Sequence, residues 1–148
     1  LKKGGHHVID HSLPMPEQVT ALGCAPVGYV ASLNHTARHM LALVQIIAPH
    51  GKIGVIDDHD TLDAVPLKAK SVSLHWEMVF THALFHTTDL IGQHRILNEI
   101  AALVDAGVLL STMKRDLSPF DPKTLEEAHR MVAGGAEVGK VVMSRQAL

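Results

Sequence analysis

Cysteine is nearly absent: Cys24 stands alone in 148 residues. A single thiol excludes an internal disulfide framework and any zinc cluster built on several cysteines. It also fits a reducing compartment, for which cytoplasm is the default expectation. Long apolar runs are missing too. None approaches the roughly 18 residues of a membrane span, and the first residues lack the apolar stretch of a signal peptide. Charge of one sign is scarce, since 13 Lys and Arg stand against 15 Asp and Glu for a formal net charge of -2. With no long single-sign run, neither nucleic acid nor an anionic membrane surface is expected as a partner. Also lacking is any G-x-G-x-x-G turn, the sequence mark of a dinucleotide phosphate loop. The pairs Gly4-Gly5 and Gly134-Gly135 stand without the flanking strand and helix that such a loop needs.

What is present is an ordinary domain's worth of material. A hydrophobic share of 47% over 148 residues is enough to bury a core. Twelve histidines are the one compositional oddity. Lys2 and Lys3 followed by Gly4 and Gly5 have the form of a basic helix end and its glycine cap, and no initiator Met precedes them. A chain whose head belongs to a longer protein is the expectation.

Strand and helix signals then alternate. "HHVID" is β-prone, and "MPEQVTAL" offers one or two helical turns with Pro16 near their start. "VGYVASL", Val27 to Leu33, is an apolar run. Thr36 to Ile47 follows with Ala37, Met40, Leu41, Val44 and Ile47 on one helical face. Pro49 and Gly51 should stop that helix before the buried-strand pattern "KIGVID". Alternation at Val72, Leu74 and Trp76 predicts another strand, and a long helix is expected from about Thr88 to Ala106 with Gly107 as its stop. Beyond a soft boundary near Leu110 to Thr112, an extended "LLSTMKRDLSPF" leads into a helix capped by Asp121 with Pro122 at its first position. "GKVVMS" closes the chain as a strand.

Such alternation specifies an α/β fold, a parallel sheet with helices on both faces, in which ligands bind outside the carboxyl ends of the strands. That rule selects the loops His11 to Pro14, Asn34 to Thr36 and Asp57 to Asp60.

Taken in order, "HHVIDHS", "YVASLNHTARH", "IAPHGKIGVID", "LKAKSVSLHWEMVFT" and "AHRMVAGGAEVGKVVM" resemble the C-terminal half of a medium-chain dehydrogenase/reductase. The likeness is to the zinc-type alcohol dehydrogenase-like branch, relatives of the NADPH:quinone oxidoreductases, and it covers essentially the whole chain. The resemblance implies a truncated Rossmann-like sheet, with the first two strands and the glycine-rich loop missing. Residues 1–111 would be part of the nucleotide-binding domain, and residues 112–148 a segment returning to the catalytic domain. In the strand order 3-2-1-4-5-6, the missing strands would lie between those at Val8 and Val30. The isolated chain is therefore expected to be inactive and to bind a nicotinamide cofactor very weakly.

The resemblance also implies the candidate cofactor contacts. Asn34 and His35 end a buried strand beside the expected ribose and nicotinamide; Asn34 or Thr36 can equally cap the helix that follows. Ile56, Asp57 and Asp58 end the next strand, where backbone groups meet the nicotinamide amide, and their side chains can serve as turn formers. His11 ends the strand near the adenosine end and suits the 2′-phosphate of NADP(H), while Asp10 opposes it. Lys140 matches a recurrent Gly-Lys pair. No general acid, base or nucleophile is assigned, because hydride transfer in this family relies on the cofactor. A homodimer through the apolar edge strand Val72 to Met78 is expected, alongside a small-molecule substrate.

Two histidine pairs, His35/His39 and His82/His86, have the helical spacing of metal ligands. Neither brings the third ligand that a catalytic zinc needs, so no metal site is expected. Two further readings stay open beside the oxidoreductase: a non-catalytic, self-associating fragment and a histidine-rich metal-binding module. A glycine-rich strand-to-helix turn about 40 residues upstream, roughly one βαβ unit, favours the enzyme. Stoichiometric zinc on the purified chain favours the metal module.

Overall fold

A helix without internal glycine or proline, Thr36–Ile46 (α2), organises the first part of the molecule. In this computed structural model, which describes residues 4–135 and 137–145, its buried stripe is Thr36, Met40, Leu43 and Ile46. The spacing of three and four residues is that of one helix face. Leu41, expected on that face, is instead 69% exposed. α2 is preceded by a short helix, Met15–Ala21 (α1), and by the strand Val27–Ser32 (β1). It is followed directly by Ile47–Val55 (β2) and then, after a 3-10 helix at Val65–Lys70, by Ser73–Trp76 (β3).

The three strands form one parallel sheet in the order β1-β2-β3. Val30, Ile53 and Leu74 lie abreast, as do Ser32, Val55 and Trp76. Ile47, Ile53 and Val55 have no exposed surface. Each such aliphatic side chain contributes about 1.5–3 kcal/mol of burial. Met40, Leu43, Ile46 and Leu67 complete the core, with Met15, Val19, Val30 and Leu74 packed against it. On the alternate residues of the strands, Tyr29, Ala31, Lys52, Ser73 and His75 are exposed.

Both ends of α2 are held by side chains from distant segments. At its carboxyl end the Lys70 ammonium donates to the carbonyls of Val44 (2.7 Å), Gln45 (3.1 Å) and Ile47 (2.7 Å). A cation at this end complements the helix dipole and satisfies carbonyls that the helix itself cannot. The chain then passes into β2 through an irregularity, because the pairing jumps from Val27 with Ile47 to Tyr29 with Lys52. Here Gly51 is buried, and a Cβ on it would fall 2.6 Å from Cγ1 of Ile47 and 2.9 Å from the Ala48 carbonyl. Only glycine allows this close approach. Pro49 therefore lies inside β2, at the bulge, where the sequence pattern placed it between helix and strand.

Two other expectations are corrected. "HHVID" forms no strand: His7 to Asp10 run without a ladder, and Val8 is 79% exposed. A strand needs a neighbour to satisfy its backbone groups, and none of the described strands lies beside this one. Instead Gln18 grips the segment, its Oε1 accepting from the Asp10 amide (2.9 Å) and its Nε2 donating to the Asp10 carbonyl (2.8 Å). The long helix starts later than expected: Thr81–Leu84 (α3) is a separate turn, and Gly92–Asp105 (α4) ends one residue before Ala106. Lys2 and Lys3 lie outside the described residues.

The residues from Ile91 onward form a second compact unit. In it Met113–Asp116 (β4), Pro122–Ala133 (α5) and Lys140–Val142 (β5) make a β-α-β unit with the two strands parallel. α5 begins as its sequence predicts, with Pro122 in the first turn. The Asp121 carboxylate accepts from the Thr124 amide at 2.9 Å, while the Thr124 hydroxyl accepts from the Asp121 amide at 3.0 Å. Among the described residues, no helix is long and apolar enough to cross a membrane.

Candidate functional site

Because β1 and β2 are adjacent and parallel, their carboxyl ends bring two loops together. Asn34, His35, Ala37 and Arg38 from the first, with Asp57, Asp58 and His59 from the second, line an open cleft of about 310 Å³. His35 makes the turn from strand to helix. It occupies the position before α2 in a left-handed conformation, φ 55 and ψ 33, uncommon for a residue with a side chain, although histidine is among those enriched there. Its own side chain does not cap the helix.

The cap comes from the far loop. Asp57 accepts a hydrogen bond from the Thr36 amide at 2.9 Å with one carboxylate oxygen and from the Thr36 hydroxyl with the other. The Thr36 and Ser32 hydroxyls are in turn 2.7 Å apart, and both residues are buried. The strand ends are also tied by backbone, Ile56 N–H donating to the Ser32 carbonyl at 3.3 Å. The Thr36 hydroxyl, ahead of the opposing effect of burial, holds the Asp57 carboxyl below the ordinary carboxylate value. Asp57 thus stays ionised, at a helix start where negative charge is favoured.

His59 closes the group. Its Nδ1 is 3.5 Å from an Asp57 carboxylate oxygen, and its side chain is only 10% exposed. Its ring centroid lies 5.7 Å from that of Trp76, at an interplanar angle of 46°. Nε2 of His59 is buried and has no hydrogen-bond partner.

Of the residues read from the sequence, Asn34, His35, Asp57 and Asp58 come together in the cleft. Ile56 follows directly on β2 beside it, with a 51% exposed side chain. His11 is exposed in a turn behind Asp10, whose carboxylate accepts from the Ser12 hydroxyl (2.6 Å) and amide (2.9 Å). The hydroxyl bond above all holds the Asp10 carboxyl below its ordinary value. Lys140 opens β5 in the second unit, exposed, its amide donating to the Thr112 carbonyl at 2.8 Å. Arg38 was missed, and His59, although inside the selected loop Asp57 to Asp60, was not singled out. Arg38 sits in the first turn of α2, where charge alone reads as a solvated face, and His59 lies near Trp76 and Asp57, a tertiary arrangement that no local pattern reveals.

The histidine pairs do not assemble a metal site. Nδ1 of His82 is 2.6 Å from the Thr87 hydroxyl, and His35 serves as the turn residue of α2. Among the described residues, no group of three or more His, Cys, Asp or Glu side chains is placed to hold a metal ion. The described side chains do not make a donor set that fits zinc.

Comparison with known proteins bears on this geometry. Residues 3–143 match the zinc-binding dehydrogenase family. The chain belongs to that family. It is 41% identical to a protein of known structure from Rhizobium etli CFN 42, assigned as a zinc-dependent alcohol dehydrogenase, with a TM-score of 0.88 over 98% of this chain and 42% of that one. It is 27% identical over 145 residues to the zinc-type alcohol dehydrogenase-like protein of Staphylococcus epidermidis, covering 97% of this chain and 43% of that protein. A structure of an NAD-dependent alcohol dehydrogenase, 19% identical with a TM-score of 0.61, shares the fold over 95% of this chain and 38% of its own. The chain therefore spans less than half the length of these proteins, and it has the expected Rossmann-like α/β character.

Proposed function

We propose that the chain is the C-terminal part of an NAD(P)H-dependent oxidoreductase that transfers a hydride between the cofactor and a small molecule, either a quinone or enone or an alcohol/carbonyl pair. Residues 1–111 would belong to its nucleotide-binding domain and residues 112–148 to a segment returning to the catalytic domain. The observation that carries this reading is the open cleft at the carboxyl ends of β1 and β2, the position where parallel α/β sheets bind ligands. A bound nicotinamide would supply the hydride. The chain's own residues would hold and orient it: Asn34 offers an amide with donors and acceptors, and Arg38 a cation suited to phosphate oxygens. Asp57, committed to Thr36, fixes the shape of the turn. His35, Ile56 and Asp58 would frame the pocket, with His11 and Lys140 as outer contacts supported by the family resemblance alone.

Resemblance favours NADP(H). The ionised Asp10 beside His11 works against a 2′-phosphate, so the ratio of kcat/KM for NADPH and NADH is the informative quantity. The proposal extends to a homodimer through the Val72 to Met78 strand, supported by the position of β3 at the sheet edge, and to a cytoplasmic setting. The test is NADPH and NADH oxidation by the full-length protein with a quinone, an enone and an aldehyde. Turnover of any of them supports the reading, and failure with all three and both cofactors overturns it. The isolated chain should show no turnover.

A further inference from the structure

An imidazole nitrogen that is buried and unpartnered costs free energy in the empty protein, about as much as a lost hydrogen bond. In His59 that atom is Nε2, on a side chain nine-tenths buried that also lines the cleft. The other ring nitrogen faces the Asp57 carboxylate at 3.5 Å. Asp57 is itself fixed by the amide and hydroxyl of Thr36. A carboxylate can only accept, so whenever the ring carries a single proton Asp57 favours it on Nδ1, and Nε2 then offers a lone pair. Carboxylate, imidazole and orphaned nitrogen form a directed series whose last member lacks a donor.

We propose that His59 is a ligand-recognition residue of the cleft: its Nε2 accepts a hydrogen bond from an O–H or N–H group of the bound molecule, with the tautomer set by Asp57. Resting on the function proposed above, the donor is a ribose hydroxyl or the carboxamide N–H of the nicotinamide half of the cofactor. His59 is a positioning residue here, with no part in hydride transfer. The neighbouring Trp76 makes the event visible. Its ring lies beside the imidazole and is 61% exposed, so a molecule bound against His59 should change the fluorescence of the chain's single tryptophan.

The experiment titrates the chain with nicotinamide mononucleotide, following Trp76 fluorescence and, independently, the amide resonances of Asn34, His35 and Arg38. The variants are His59→Phe, which keeps a ring but has no acceptor, and His59→Gln, which restores an acceptor near the same place. Losing one hydrogen bond should weaken binding about five- to tenfold in H59F. H59Q should recover most of it. H59F should unfold at a temperature at least as high as the wild type, because it removes an unsatisfied buried polar atom. Amide shifts that saturate at the same concentration in H59F as in the wild type overturn the role of His59 and leave the proposed function standing. No shift at any cleft amide in the wild type also overturns the role of His59, while the proposed function is decided separately by turnover of the full-length protein. A lower unfolding temperature in H59F with unchanged affinity assigns His59 a structural role and also overturns the proposal.

Discussion

Replacing Thr36 by Val removes one hydroxyl at nearly constant volume, at a residue with no exposed surface. The Ser32 hydroxyl, 2.7 Å away and itself buried, loses its partner. Leaving it unsatisfied costs about 1–3 kcal/mol. Asp57 loses the bond to the Thr36 hydroxyl but keeps the 2.9 Å bond to the Thr36 amide. That hydroxyl is the foremost cause of the lowered Asp57 pKa, so in T36V the pKa should move back up toward its ordinary value. The sign of the pH dependence follows. A carboxyl whose folded pKa is depressed contributes stability above its unfolded pKa, near 3.9, and loses it as pH falls through the folded value. The gap between wild type and T36V should therefore be widest near neutrality and narrow in acid. Urea unfolding across that range measures the gap, and carbon NMR of the Asp57 carboxyl reads the pKa directly. Thr36→Ser is the control: it keeps the hydroxyl, costs only one buried methyl, about 1 kcal/mol, and should leave the Asp57 titration in place. If T36V is as stable as the wild type at neutral pH and Asp57 titrates unchanged, the linkage from Ser32 to Asp57 is wrong.

Lys70→Met should lower urea stability by about 1–3 kcal/mol, because three carbonyls at the end of α2 lose a charged donor. Gly51→Ala forces a Cβ to within 2.6 Å of Ile47 and should destabilise by about 1–3 kcal/mol in the same assay. For the proposed dimer, Leu74 is a poor position for a charge, since it is packed against the core and a charge there would unfold the sheet as well. The exposed His75 is the better position. His75→Asp should shift sedimentation toward the monomer, and a wild-type chain already monomeric at micromolar concentration would end the edge-strand idea.

How much of this was legible in the sequence depends on the distance over which each feature is determined. The start of α5 is local: Asp121, Pro122 and Thr124 lie within four residues, and the expected cap is the observed one. The parallel strands β1 and β2 were visible as apolar runs separated by a helix, because burial leaves its mark along each segment. The face of α2 was read one position off, with Leu41 outside and Leu43 inside. A run so apolar satisfies more than one helical stripe, and packing against Ile53 and Val55 makes the choice. "HHVID" had a strand's composition but no described partner, and pairing is not a local property. The site divides in the same way. The rule of strand ends selected Asn34, His35, Asp57 and Asp58, whereas the cap of α2 comes from Asp57, 21 residues beyond Thr36, and the ring of His59 lies beside that of Trp76. Those are tertiary contacts, and nothing in the spacing of residues foretells them.

The central claim is that the cleft at the ends of β1 and β2 receives the nicotinamide half of a dinucleotide. The most direct test is amide shift mapping of the chain with NADPH raised to millimolar concentration. The account predicts weak binding with shifts concentrated at Asn34, His35, Arg38, Asp58 and His59. Shifts confined to other surfaces, or none in the cleft at any concentration, would contradict it.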